Sequence, residues 1–150
     1  MQFNPNTENG TTDLVYLNRN DKTVTSSLTK TGAVTKEPVE FLVEGDFEKA
    51  LQAYKTLLKE DPTHPTVVEG YIDNVGELFF RQNRVEIALN VFKLNTQLYP
   101  NSFQVYDSYA NYCEQAGKID LAILNYSKSI ELNPQNNRVK AKIKELQKSE

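Results

Sequence analysis

Three short runs in this chain have the residue types of a serine-nucleophile active site. Ser27-Leu-Thr-Lys30 gives S-x-x-K, Lys30-Thr-Gly32 gives K-T-G, and Tyr109-Ala-Asn111 gives Y-x-N. The set fails as chemistry, because Lys30 would have to serve in two motifs that need separate lysines. Tyr109 also falls on an apolar helical stripe, which is a packing position. Patterns of three or four residues recur by chance. His64, the single His, stands between Pro62 and Pro65, with no Cys or second His to complete a metal site. It is expected to be an exposed loop residue. Cys113 sits on an apolar stripe and is expected to be a small core residue. Asp73 and Glu77 are four apart and share a helix face. They have the spacing of an acid–base pair but read as charges lining a binding face. No Gly-rich phosphate loop is present. The expectation is a chain without catalytic residues, metal or cofactor, so that any function lies in the surface its elements present.

Composition points the same way. Of 150 residues, 39% are hydrophobic and the net charge is −3. An isoelectric point near 5.3 argues against a nucleic-acid partner. One Cys excludes an internal disulfide. No apolar run approaches the roughly 18–20 residues of a membrane helix, so no membrane partner is expected. Met1 leads into Gln-Phe-Asn-Pro-Asn and not into a charged start and an apolar stretch, so a secretory signal is not read. A native start at Met1 implies a cytoplasmic protein. An excised domain is the alternative.

The elements that position these charges come from alignment of the chain on itself. Pro62, Pro100 and Pro134 are separated by 38 and 34 residues. The same two intervals separate Gly45, Asn83 and Gly117; Ala50, Ala88 and Ala122; and Tyr54, Phe92 and Tyr126. A period near 34 is the mark of a helical solenoid. Each repeated residue has a mechanical reason. Gly or Asn takes a left-handed backbone cheaply at a helix end. Ala lets two helices approach, the aromatic fills the space toward the next repeat, and Pro blocks continuation.

The apolar stripes agree. Tyr106, Tyr109, Ala110 and Cys113, then Ile119, Ala122, Ile123, Tyr126 and Ile130, have helical spacing in the last hairpin. Val68, Ile72, Val75 and Phe79, then Val85, Ala88, Leu89 and Phe92, do so in the middle one. The extra turn of sequence between Pro62 and Tyr71 either lengthens a helix or is absorbed by the loop Pro62–Pro65. Pro38 limits the first hairpin to a short opening helix, Lys36–Val43. A last helix, Arg138–Lys148, turns Val139, Ile143 and Leu146 inward. It caps the array and leaves Lys140, Lys142, Lys144 and Lys148 on a solvated face. Residues 1–33 have no helical stripe. Leu14–Leu17 and Thr23–Leu28 have the composition of two short strands. The predicted fold is all-α, three helical hairpins and a capping helix over 34–150, after an irregular or strand-forming segment.

This pattern resembles the tetratricopeptide repeat. The last hairpin supplies Tyr106, Tyr109-Ala110, Cys113, Gly117, Ile119, Ala122, Tyr126, Ser129 and Pro134. The middle one supplies Ile72, Val75-Gly76, Phe79, Asn83, Val85, Ala88, Phe92, Asn95 and Pro100, while the first matches only from Phe41 to Pro62. The resemblance covers about residues 35–134 and implies a right-handed solenoid whose concave groove holds a peptide or protein segment. It places Gly70, Asp73, Glu77, Phe80 and Arg81 of the middle repeat in that groove, with Gln104, Asp107, Asn111 and Glu114 of the last. Family members that hold a chaperone's terminal carboxylate use Lys, Asn and Arg. Of the matching positions only Asn111 fits here, beside Asp73, Glu77 and Asp107. The expected partner is therefore a basic segment with an apolar anchor. Self-association through the array's open edge is a further expectation.

A narrower resemblance exists. The run from Phe92 to Tyr109 looks like the tetratricopeptide tail of some bacterial serine hydrolases of the class C beta-lactamase type. That would make the chain a non-catalytic accessory domain, and an exported one.

Overall fold

The computed structural model of the protein describes residues 15–17, 23–25 and 36–148. Two units follow one another along the chain, Met1–Lys36 and Glu37–Glu150. In the first, strands β1 (Val15–Leu17) and β2 (Thr23–Thr25) pair antiparallel, with Val15 opposite Thr25 and Leu17 opposite Thr23. Both fall inside the two stretches of strand-like composition. Ser27, Lys30 and Gly32 of the serine-site motifs lie outside the described residues.

The second unit is all-helical. Its helices are α1 (Pro38–Val43), α2 (Phe47–Glu60), α3 (Glu69–Arg81), α4 (Val85–Leu98), α5 (Phe103–Gln115), α6 (Ile119–Leu132) and α7 (Asn137–Leu146). Helix α1 opens on a Pro, whose missing N–H costs nothing in the first turn. Asp46 caps α2 by accepting from the Lys49 amide at 3.1 Å, and Asn136 caps α7 by accepting from the Val139 amide at 3.2 Å.

The three hairpin turns close alike. Gly45, Asn83 and Gly117 have φ of 84°, 60° and 74°. In each, the next residue's amide donates back into the helix: Asp46 to the Phe41 carbonyl, Arg84 to Phe79, and Lys118 to Cys113. This is the left-handed helix stop expected at all three positions.

The extra residues of the middle repeat go into the connection. A 3-10 turn, Pro65–Val67, precedes α3. The Tyr99 hydroxyl donates to the Val67 carbonyl, and Asn95 Nδ2 donates to the Glu69 carbonyl at 3.1 Å. Val68 is therefore not part of the helical stripe. It is the exposed N-cap of α3. His64 is not a free loop residue either. It is half-buried and its Nδ1 accepts from the Thr66 amide at the start of that turn.

Two apolar cores result. One joins Ala88, Leu89 and Phe92 of α4 with Tyr109, Ala110 and Cys113 of α5, Ala122 and Tyr126 of α6, and Val139 and Leu146 of α7. The other joins Leu42, Ala50, Leu51 and Tyr54 of the first hairpin with Val67, Ile72, Val91 and Leu94. The stacking is regular only downstream of α3. Helix α5 lies on α3 and α4, and α7 on α6, whereas α1 and α2 lie on α4, and α2 also on the 3-10 turn. The four additional residues before α3 account for this shift. One consequence is visible in sequence-equivalent positions. Tyr112 is stacked against Phe92, whereas Leu78, 34 residues earlier, is 53% exposed.

Close approach of α3 and α4 depends on Gly76. A Cβ there would stand 2.6 Å from Phe92 Cζ. The Phe92 ring is fully buried and stacked on Tyr112, so it has nowhere to go. Gly76→Ala is expected to lower stability by about 1–2 kcal/mol, overpacking outweighing the gain in helix preference. Urea unfolding checks this, and a more stable variant would contradict the packing described.

Among the described residues no helix is long and apolar enough to cross a membrane. No group of three or more His, Cys, Asp and Glu among them is arranged to hold a metal ion.

Candidate functional site

Once the cores are filled, the first helices of the repeats, α3 and α5, carry the polar side chains of interest, with α7 beside them. Asp73 Oδ2 accepts from Ser108 Oγ at 3.1 Å, tying α3 to α5. Its Oδ1 is buried without a hydrogen-bond partner. Burial pushes the Asp73 carboxyl above its ordinary value near 3.8, and the carboxylates of Glu69 and Glu77 push it further, against the Ser108 hydrogen bond. Glu77 pairs with Arg81 one turn on, at 2.5 Å, with Arg81 64% and Glu77 27% exposed.

The raised Asp73 carboxyl carries a stability consequence. The folded state favours the protonated form, so stability is greatest below the ordinary value. It is lost as pH rises from about 3.8 through the raised folded value. Asp73→Asn is expected to stabilise the protein above that window and to lose its advantage below it. Thermal unfolding across pH checks this; a destabilised variant at neutral pH would contradict it.

Phe80 is not a free apolar anchor. It is half-buried against the larger core and meets Tyr112 edge-on, with ring centres 5.0 Å apart. Tyr112 stacks on Phe92 at 4.3 Å. Burial raises the Tyr112 hydroxyl pKa, with the Glu77 and Asp73 carboxylates adding to the shift. Gln104 and Asn111 are exposed. Ser102 Oγ lies 2.9 Å from Glu69 Oε1 and 3.0 Å from Gln104 Oε1, so its single proton serves one at a time.

At the other edge, Asp107 and Glu114 meet α7. Asp107 pairs with Arg138, and Asp107 Oδ1 is buried without a partner. Glu114 Oε1 lies 2.7 Å from Lys142 Nζ, and Glu114 Oε2 accepts from the Tyr126 hydroxyl at 3.2 Å. Lys142 is thus not on the solvated face of α7, unlike Lys140 and Lys144, and Lys148 is exposed beyond the helix, which ends at Leu146 and not at Lys148. Their hydrogen bonds to Asp107 and Glu114 push the Arg138 guanidinium and the Lys142 ammonium above their ordinary pKa values.

Sequence reasoning placed Asp73, Glu77 and Arg81 in one group and Asp107 and Glu114 in another. It missed Ser108, Tyr112, Arg138 and Lys142. The four-residue spacing of Arg138 and Lys142 was the available signal for the last two. Cys113 is free and fully buried, its thiol pushed up to about 11 by burial, and Tyr109 is pushed up to about 12 for the same reason. Neither is poised for chemistry at neutral pH.

Residues 103–136 match the sequence model of the tetratricopeptide repeat. The chain carries a tetratricopeptide repeat. The helical array around that repeat has the corresponding fold. A mutant of the protein MamA superposes with a TM-score of 0.55 at 14% identity, covering 75% of this chain and 79% of the other. A tetratricopeptide repeat protein from Parabacteroides merdae gives 0.50 at 18% identity, covering 73% of this chain and 42% of that one. The first tetratricopeptide domain of Spaghetti (RPAP3), bound to an HSP90 peptide, gives 0.49 at 18% identity, covering 75% and 86%. No curated protein sequence matches the chain. None of these structures is described as a serine hydrolase, so the narrower likeness to hydrolase tails gains no support from them.

Proposed function

We propose that this tetratricopeptide array is a non-catalytic scaffold that holds a peptide or protein segment against the face built by α3 and α5. The observation that carries the reading is Asp73. A half-buried carboxylate with one partnerless oxygen costs stability, and its other oxygen accepts from a neutral hydroxyl of the next repeat. Strained charges of this kind concentrate at functional sites. The described partner of the Spaghetti domain, a peptide, is consistent with the same kind of use here.

The segment received is basic, with a Lys or Arg reaching Asp73 beside the Glu77–Arg81 pair, and Gln104 and Asn111 offering hydrogen bonds. Phe80 contributes a half-buried aromatic edge to the floor and not a protruding anchor.

The test begins with selection of phage-displayed random dodecapeptides on the full chain. Enriched peptides are expected to carry Lys or Arg. Asp73→Lys is then expected to weaken the best of them about tenfold or more, while Asp107→Lys, where Arg138 already covers the carboxylate, costs less. Unchanged affinity in Asp73→Lys, measured by fluorescence polarisation, would reject the assignment of the face.

A further inference from the structure

We infer that Arg138 and Lys142 of α7 set the charge selectivity of this face, cancelling the carboxylates of α5 so that a cationic group is received at α3 alone. The inference rests on the binding role proposed above and assigns a specificity function to a helix that otherwise only closes the array.

The two ion pairs differ from ordinary surface pairs in which partner is hidden. Asp107 is 18% exposed and Arg138 is 63% exposed. An approaching molecule therefore meets a guanidinium at that position, not the carboxylate beneath it. Glu114 and Lys142 are both recessed, at 21% and 29%. Both oxygens of Glu114 are engaged, one by Lys142 and one by the Tyr126 hydroxyl.

Asp73 and Glu69 on α3 are arranged the opposite way. Their carboxylates accept from the neutral hydroxyls of Ser108 and Ser102. Beside them Glu77 is covered by Arg81, which is 64% exposed against 27% for Glu77. From Asp73 and Glu69 toward α7, the surface passes from carboxylates held by neutral hydroxyls to exposed positive charge. Arg138 and Lys142 are one helical turn apart, so both side chains leave the same side of α7. Val139, fully buried, and Leu146 fix that side by packing into the core beneath.

Two variants break the same two ion pairs and leave opposite charges behind. Arg138→Gln with Lys142→Gln uncovers the α5 carboxylates. Asp107→Asn with Glu114→Gln leaves Arg138 without its carboxylate and Lys142 with the more distant Glu145, at 3.5 Å. Cationic dodecapeptides selected on the unmodified chain are expected to bind the first variant about three- to tenfold more tightly and the second weaker by a similar factor. Both shifts should shrink together in about 0.5 M salt, where surface charges are screened. A purely structural role for α7 would move both variants in the same direction. That result, or no shift in either, overturns the inference while leaving the binding face intact. Failure of any peptide to enrich on the unmodified chain overturns the binding role itself.

Discussion

Phe92→Ala is expected to destabilise the array by about 3–5 kcal/mol. Phe92 is fully buried on α4. It fills the notch left by Gly76 on α3 and carries the stacked ring of Tyr112 on α5. One residue thus joins both helices of the middle hairpin to the first helix of the next. Removing the ring empties a space that the rigid backbones of α3 and α4 cannot close, so the cavity cost adds to the lost burial. Domains of this size are commonly stable by only about 5–15 kcal/mol. Urea denaturation of the variant should show a much lower midpoint. Tyr112 and Phe80 line the proposed binding face and lose their backing, so peptide affinity should fall as well. A loss under about 1 kcal/mol would show that the repeats do not depend on this contact.

Tyr126 is the equivalent aromatic one repeat later, and two substitutions separate its two roles. Its side chain is fully buried among Tyr109, Ala110, Cys113 and the inward side of α7. Tyr126→Ala is expected to cost about 3–5 kcal/mol, by the same cavity argument. Tyr126→Phe keeps the ring and removes only the hydroxyl that donates to Glu114. That change is expected to cost about 1 kcal/mol, since Glu114 retains Lys142. Comparable losses in the two variants would mean that the hydroxyl network, and not the ring, holds the end of the array.

The fold was legible because its repeated residues each do one mechanical job. The intervals between Gly45, Asn83 and Gly117 marked three helix stops, and all three have positive φ. The intervals between Ala50, Ala88 and Ala122 marked three buried close approaches. What the intervals could not reveal was the displacement of the first hairpin. The change from 38 to 34 was visible, but whether the surplus lengthened a helix or a loop depended on contacts made by Tyr99 and Asn95, roughly thirty residues away in sequence. The site was legible only in part, for a related reason. Helical spacing shows which residues share a face of one helix, as for Asp73 and Glu77. It does not show which residues of another helix lie opposite. Arg138 over Asp107, Lys142 beside Glu114, and Ser108 against Asp73 are all pairings between helices, 28 to 35 residues apart. The half-burial of Phe80 against Tyr112 was not legible because Tyr112 falls outside the apolar stripe of α5.

The central claim is that the α3–α5 face receives the partner. Amide chemical-shift mapping of the full chain with a selected dodecapeptide tests it most directly. The account expects perturbations concentrated on residues 70–81 of α3 and 104–115 of α5, strongest near Asp73, Ser108 and Tyr112. Perturbations confined instead to the exposed side of α6 around Leu124, or to the outer residues of α2, would contradict it.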